Sequence, residues 1–336
     1  MKILVFEYIT GGGFNRQELP ASLAREGRWM LKALLDGLAA MKGLDVTVML
    51  DRRLADSIPL HGFTPVVVDR EDDCHDCFDR LIKRFDAVWP VAPEYGGVLS
   101  ALCRSVERKE VTLLTSPSSA VSVAGDKLST YRRLLEHRIA TVPTRLLEER
   151  AFSFYQGENI VKPVDGIGCA DSYVIIDKED RESLSSKIQG KGRYIVQPHV
   201  AGDKTSLSCL FRNGEGWLLC ANRQKFELIG QQYHLAEIAV NDGRDLTPFR
   251  PLVADVARAF PELWGYAGID LIETPETVLV LEINPRLTTS FAGIGRALGI
   301  NAASLVLRLL DGDPLIRPSR SESVSLILHR DTHEFV

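Results

Sequence analysis

The chain has 336 residues, of which 45% are hydrophobic and 25% charged, with a formal net charge of −5. That length exceeds one small core and predicts two or three lobes of an ordinary globular protein. The missing basic excess argues against a nucleic-acid partner, since no cationic surplus is available to displace counterions.

The opening Met1-Lys2-Ile3-Leu4-Val5-Phe6 is interrupted by Glu7. It is too short for a signal-peptide core and predicts a first buried strand over Ile3–Glu7. Leu19–Met41 has helical periodicity, with Ser22, Arg25 and Glu26 on one side and Leu23, Met30, Leu31, Leu34, Leu35 and Leu38 on the other. Strands follow at Asp45–Leu50, Thr64–Val68, Phe85–Pro90 and Val111–Leu114, with a helix at Leu99–Glu107. Such alternation gives a parallel sheet wrapped by helices. Within it, Cys74-His75-Asp76-Cys77 has C-x-x-C spacing, but no second pair follows to complete a zinc site. The two thiols read as surface cysteines in an acidic loop, with a redox or metal role as the alternative.

Thr115-Ser116-Pro117-Ser118-Ser119 is polar and marks a boundary. A helix is predicted from Lys127 to Arg138. Beyond residue 140 the pattern turns to hairpins. Ile160–Lys162 and Tyr173–Ile176 flank a glycine-containing loop, and Tyr194–Gln197 begins a further run. Leu207–Phe211 and Trp217–Asn222 flank the turn Asn213-Gly214-Glu215-Gly216. A helix at Pro251–Phe260, a hairpin of Gly268–Glu273 with Val278–Asn284, and helices around 291–310 close the chain. The expected architecture is an α/β head before an α+β body. No apolar run approaches the roughly 20 residues of a membrane span, so no membrane partner is expected. Six scattered cysteines without an export signal predict the cytoplasm.

The strongest chemical signal is the last hairpin. Val278–Asn284 is apolar except at Glu282 and Asn284, which stand two apart and share one strand face. Gly268–Ile272 is apolar except at Asp270, and a short turn around Glu276 sets Asp270 opposite Glu282. Two facing carboxylates repel, and burying them costs several kcal/mol without a cation. Hard oxygen ligands suit Mg²⁺, which takes one or two carboxylates plus substrate phosphates. Arg286 follows directly, where a guanidinium can clamp an anion.

Upstream, Val161-Lys162-Pro163 runs into Val164-Asp165-Gly166-Ile167-Gly168. Glycines let backbone N–H groups approach a phosphate, and Lys162 adds a point charge. No Walker A loop occurs, and an ordinary hairpin turn explains this piece equally well by itself. Asp126-Lys127 opens a helix, where Asp126 reads as an N-cap. Tyr194–Val200 leaves a strand as an extended segment whose backbone can read an adenine edge.

Taken in order, these pieces resemble the ATP-grasp superfamily. The run is Asp126-Lys127, Val161-Lys162-Pro163 with its glycine loop, Val196-Gln197-Pro198-His199-Val200-Ala201-Gly202, Ser206-Leu207-Ser208, Ile269-Asp270 and Leu281-Glu282-Ile283-Asn284-Pro285-Arg286. The resemblance spans about residues 116–310, and residues 1–115 resemble the domain that precedes the grasp fold. It implies a substrate head at 1–115 and two lobes, 116–197 and 198–336, that sandwich ATP. Lys127 and Lys162 would contact phosphates beside Gly166 and Gly168. Gln197, Pro198 and Val200 would hold adenine, with His199 packing there. Asp270, Glu282 and Asn284 would ligate two magnesium ions, with manganese as a substitute. Arg286, Arg223 and Lys162 would act on the transferred phosphate. The chain departs from the family at Gln197, where many members have Glu, and at the ribose acid, which falls near Asp203-Lys204.

The family reaction ligates a carboxylate to an amine through an acylphosphate, which needs positioning and charge neutralisation more than acid–base chemistry. The opening Phe6-Glu7-Tyr8-Ile9-Thr10-Gly11-Gly12-Gly13 sits at a strand end, where α/β sheets bind ligands. Its glycines fail the G-x-G-x-x-G pattern, which sets aside a dehydrogenase. The segment resembles the tyramine–glutamate ligases of methanofuran synthesis and related methylofuran ligases. By that resemblance Glu7, Tyr8, Gly12 and Glu94 would meet the substrates: the acids an amine, and Tyr8 or Phe14 a phenol ring. The expected partners are a carboxylic acid and an amine; an apolar head surface could pair two copies into a homodimer, but the sequence does not show it. The alternatives on this fold are a ligase for another amino acid or peptide, a small-molecule kinase, and a nucleotide-sensing protein.

Overall fold

The computed structural model describes residues 1–147, 154–166 and 168–328. Ile3, Leu4, Val5 and Phe6 are all fully buried. A strand apolar on both faces belongs at the centre of a parallel sheet, and β1 (Lys2–Glu7) takes that place. Its helix α1 (Ala21–Ala39) leads to β2 (Asp45–Asp51) and β3 (Thr64–Val68). Next come α2 (Cys74–Leu81), β4 (Ala87–Val91), α3 (Val98–Glu107) and β5 (Thr112–Leu113). The strand order is β3-β2-β1-β4-β5, with parallel pairing throughout. The order reverses between β1 and β4, so a crevice opens at their carboxyl ends. Glu7 ends β1, and Pro93-Glu94 follows β4 there.

The expected acidic surface loop at Cys74–Cys77 is instead helix α2. Asp73 caps it, accepting from the backbone N–H of His75 and Asp76. Cys74 is buried with Phe78 in the core between α2, α3 and the sheet, and only Cys77 is partly exposed. The cap satisfies the first turn's N–H groups, and Cys74 and Phe78, four apart, supply one apolar face.

The body adds α4 (Ser118–Ala124), α5 (Lys127–Glu136), β6 (Arg145–Leu146), β7 (Asn159–Pro163), β8 (Tyr173–Ile175), α6 (Lys178–Ile188) and β9 (Tyr194–Pro198). The sheet β6-β9-β7-β8 is antiparallel, with α6 packed on it through Leu184 and Ile188. There follow β10 (Asp203–Arg212), β11 (Glu215–Ile229), β12 (Gln232–Val240), α7 (Phe249–Ala259), β13 (Gly265–Glu273) and β14 (Val278–Asn284). The last elements are α8 (Phe291–Leu298), α9 (Ala302–Arg308) and β15 (Val324–Ile327). Six strands form the order β14-β13-β10-β11-β12-β15. Helix α7 covers one face through Phe249, Val253 and Val256. Helices α4 and α6 and strand β12 are elements the sequence pattern did not mark. The α/β head and α+β body are as expected.

Head and body share one core. Leu31, Leu34 and Leu38 of α1 and Val5 and Trp89 of the sheet pack with Ile294, Ala297 and Val306 of α8 and α9. Trp89 is 1% exposed. Trp89→Ala should therefore destabilise the whole chain by about 3–5 kcal/mol, read as a single shifted urea transition. Two separate transitions would refute the shared core. No helix among the described residues is long and apolar enough to cross a membrane.

Candidate active site

Strands β13 and β14 pair with Asp270 opposite Glu282 and Gly268 opposite Asn284, the register that the apolar pattern predicts. A bulge at Leu281 breaks the ladder between Asp270 and Leu271, so Leu281 and Glu282 both line the cleft. Asn284 Nδ2 donates to Asp270 Oδ2 at 3.0 Å, and Gln224 Nε2 donates to Asp270 Oδ1 at 3.2 Å. Lys127 Nζ lies 3.1 Å from Glu282 Oε2 and donates to the Gly166 carbonyl at 2.5 Å. Burial, then the Glu282 charge, push the Asp270 carboxyl well above the usual range. Burial acts upward on Glu282 too, but Lys127 and Lys162 outweigh it and hold that carboxyl low. Two half-buried carboxylates compete for charge here, so the pair is suited to a cation. The donor set is all oxygen, and the Asn284 amide oxygen is not consumed by its bond to Asp270. These residues fit magnesium together with phosphate oxygens.

Lys162 is the penultimate residue of β7 and is buried. Burial lowers its pKa, and the nearby Glu282 opposes that shift. Gly166 and Gly168 line the same cavity, and Gly168 adopts a left-handed φ of 57°. Ile167 of the glycine loop lies outside the described residues. Val142, Ile160, Ile272 and Leu281 form apolar walls beside Gln197, Pro198, His199 and Val200. Gln197 Nε2 donates to Thr144 Oγ1 at 2.8 Å. His199 is tied on both ring nitrogens, to Glu158 at 2.6 Å and to the Tyr233 hydroxyl at 2.8 Å.

Five expected residues, Arg223, Asp203, Tyr8, Gly12 and Glu94, do not line the cleft. Arg223 is paired with Asp242 at 3.6 Å, and its side chain is 63% exposed. A bulge at Leu219 resets the alternation of β11, so Gln224 and Phe226 line the cleft instead. Asp203 is exposed, and its neighbour Lys204 lines the cleft, with Nζ donating to the Val200 carbonyl at 3.0 Å. Tyr8 turns into the core behind the sheet, edge-on to Phe6 and Phe14, and burial pushes its hydroxyl up to about 12. Gly12, at φ 107°, is a packing glycine: a Cβ there would fall 2.7 Å from Val68 Cγ1.

The head supplies the far end of the cavity. Glu7 is 2% exposed and accepts from Thr10 Oγ1 at 2.6 Å, Thr10 N at 2.7 Å and Ile9 N at 3.2 Å. Burial still leaves its carboxyl raised. Arg286 donates through Nε and Nη2 to Glu94 Oε2 at 3.0 and 2.9 Å. Burial acts to lower the Arg286 pKa, and Glu94 outweighs it and keeps the guanidinium charged. Glu94 thus serves Arg286. The pattern also missed Gln224 and Glu26, which with Lys204 line a cavity of about 270 Å³ shared with Glu7, Lys127, Lys162 and the hairpin acids. Only the docking of their elements reveals them.

A parallel-sheet head, a small antiparallel sheet and a six-stranded sheet with two lysines facing a carboxylate pair define the class of ATP-grasp proteins. The chain belongs to that superfamily: residues 124–290 match the ATP-grasp domain model, and residues 44–121 match the pre ATP-grasp 3 domain. It is 25% identical over 295 residues to tyramine–L-glutamate ligase of Methanocaldococcus fervens, covering 87% of this chain and 89% of that relative. Among solved structures it is similar to an ATP-grasp superfamily protein from Archaeoglobus fulgidus, with a TM-score of 0.72 and 22% identity over 97% of this chain and 92% of that one. It is also similar to the L-amino acid ligase from Bacillus licheniformis, with a TM-score of 0.66 and 17% identity over 97% and 79% of the two chains. Fold and relatives support an ATP-dependent ligase that forms C–N bonds.

Proposed function

We propose that the chain uses ATP to join glutamate to tyramine, tyrosine or a similar amine, in the cytoplasm, as a step towards a methanofuran- or methylofuran-type cofactor. One observation carries this reading: a single cavity runs from Lys127, Lys162, Asp270 and Glu282 past Arg286 to Glu7. Phosphate chemistry at one end thus faces a buried acid at the other. In this reading residues 1–115 form the substrate head, and 116–197 and 198–336 the two lobes that hold ATP.

Lys127 and Lys162 neutralise the ATP phosphates, and the apolar walls near Gln197 take the base. Asp270, Glu282 and Asn284 would hold magnesium, which supplies further charge neutralisation across the phosphates. The glutamate carboxylate attacks the γ-phosphorus, giving an acylphosphate and ADP. Arg286 lies between the two ends and steadies the transferred phosphoryl group. The amine then displaces phosphate to form the amide.

ADP release should require ATP, glutamate and tyramine together, with the amide detected by mass spectrometry. Full turnover with one substrate alone would instead indicate a kinase.

A further inference from the structure

Helix α1 buries Met30, Leu31, Leu34, Leu35 and Leu38. The same rotation brings Glu26 and Gly27 to the carboxyl end of β1. Gly27 is buried, and a Cβ on it would fall 2.6 Å from Glu7 Oε2. The helix backbone therefore lies against the Glu7 carboxylate, and the next residue back, Glu26, lines the same cavity. Thr289 Oγ1 donates to Glu26 Oε2. Thr289 lies three residues beyond Arg286, on the segment leaving the carboxylate hairpin, so Glu26 is tied to the segment that carries Arg286. Ile9, Leu23 and Met30 supply apolar lining beside the two acids.

Glu7 has both oxygens engaged by its own turn: Oε1 accepts from Ile9 N, and Oε2 from Thr10 N and Oγ1. It is therefore committed to its own turn and less open to proton exchange than a carboxyl held by one donor. Glu26 is held by a hydroxyl, a weaker commitment. We propose that Glu26 seats the ammonium group of the acceptor amine and takes its proton, while Ile9, Leu23 and Met30 receive the carbon skeleton. This rests on the ligase reading above. The ammonium gives one proton to the Glu26 carboxylate. The freed nitrogen lone pair forms the C–N bond at the acyl carbon as the C–O bond to phosphate breaks. The second nitrogen proton leaves with the phosphate. Glu26 returns its proton to solvent when product departs.

Burial pushes the Glu26 carboxyl above the usual range, opposed by Thr289, Arg286 and Arg25. The charged groups acting on it are Arg286 from the segment after β14 and Arg25 from its own helix, and Glu7 at the end of β1 lines the same cavity. Because Glu26 must be ionised to accept a proton, kcat/KM for tyramine should fall as pH drops through that raised value.

The test compares Glu26→Gln with the unaltered chain, using tyramine or hydroxylamine as acceptor with glutamate and ATP. Hydroxylamine is uncharged at neutral pH and needs no base. For Glu26→Gln, kcat/KM with tyramine should fall by about 100-fold or more, on the scale of a lost general base, with the acidic limb of its pH profile gone. Hydroxamate formation should persist. Glu26→Asp, which keeps the charge, should restore the limb. Equal losses with both acceptors in both variants, or an unchanged tyramine profile in Glu26→Gln, would overturn the proposal. Absence of hydroxamate from the unaltered chain would overturn the ligase reading instead.

Discussion

Glu282→Gln should reduce ATP-dependent ADP release by more than about 100-fold, because even outer-shell partners of a metal cost roughly 10–100-fold when lost. The substitution keeps the volume and an oxygen for Lys127, which now lies 3.1 Å from Glu282 Oε2. It removes the charge that faces Asp270 and that offsets Lys127 and Lys162. Magnesium affinity, measured by titration calorimetry with ADP present, should weaken in step with activity. The fold should survive, since Lys127 also donates to the Gly166 carbonyl and the hairpin register rests on apolar neighbours. Circular dichroism and thermal unfolding check that point. Normal turnover in this variant would end the ligase reading, because no other described carboxylate faces Asp270 across the β13–β14 pair.

Lys162→Met should separate activity from stability. Its ammonium is buried, and burial lowers its pKa below the ordinary lysine value. A base whose folded pKa is lowered destabilises the fold while it is charged, and stability rises as pH climbs through that lowered value. An apolar side chain of similar length removes this penalty, so thermal stability should hold or increase. Loss of the cation should cost about 100-fold or more in kcat/KM for ATP, on the scale of a deleted transition-state donor. Nucleotide affinity, read by ADP binding, should drop as well. A variant that loses stability and activity together would mean that Lys162 is structural. One that loses neither would remove it from the phosphate site.

The legible parts of the site were those fixed by short-range pairing. Asp270, Glu282 and Asn284 stand on one hairpin whose apolar residues allow a single register, since a slip of one residue would expose them all. Lys127 follows an N-cap, and Lys162 is the penultimate residue of an apolar strand; both reach the cleft as expected. The residues that turn away from the cleft on β10 and β11 share a cause. Arg223 and Asp203 each lie one residue from the side chain that does line the cleft, Gln224 and Lys204. A strand has two faces, and period-two alternation does not say which one a helix will cover. In β11 the bulge at Leu219 shifts the alternation besides, and an apolar run conceals it.

Tyr8 and Gly12 lie away from the cleft for a different reason. The turn after β1 doubles back, with Gly11 N bonded to the Glu7 carbonyl and Gly13 N to that of Tyr8, which drives Tyr8 behind the sheet. Glu26 was visible only as part of a polar stripe on α1. Its role depends on α8 and α9 packing against that helix, elements more than 250 residues later in the chain.

By itself, then, the sequence determined the layers, the paired carboxylates and the lysines that oppose them, because local periodicity and hairpin pairing act over a few residues. Tertiary structure alone decided which strand faces the cleft, that Glu94 serves Arg286, and that Glu26 joins Glu7 at the far end. Those outcomes come from helices docking across the sheets, and no short stretch of chain encodes the docking angle.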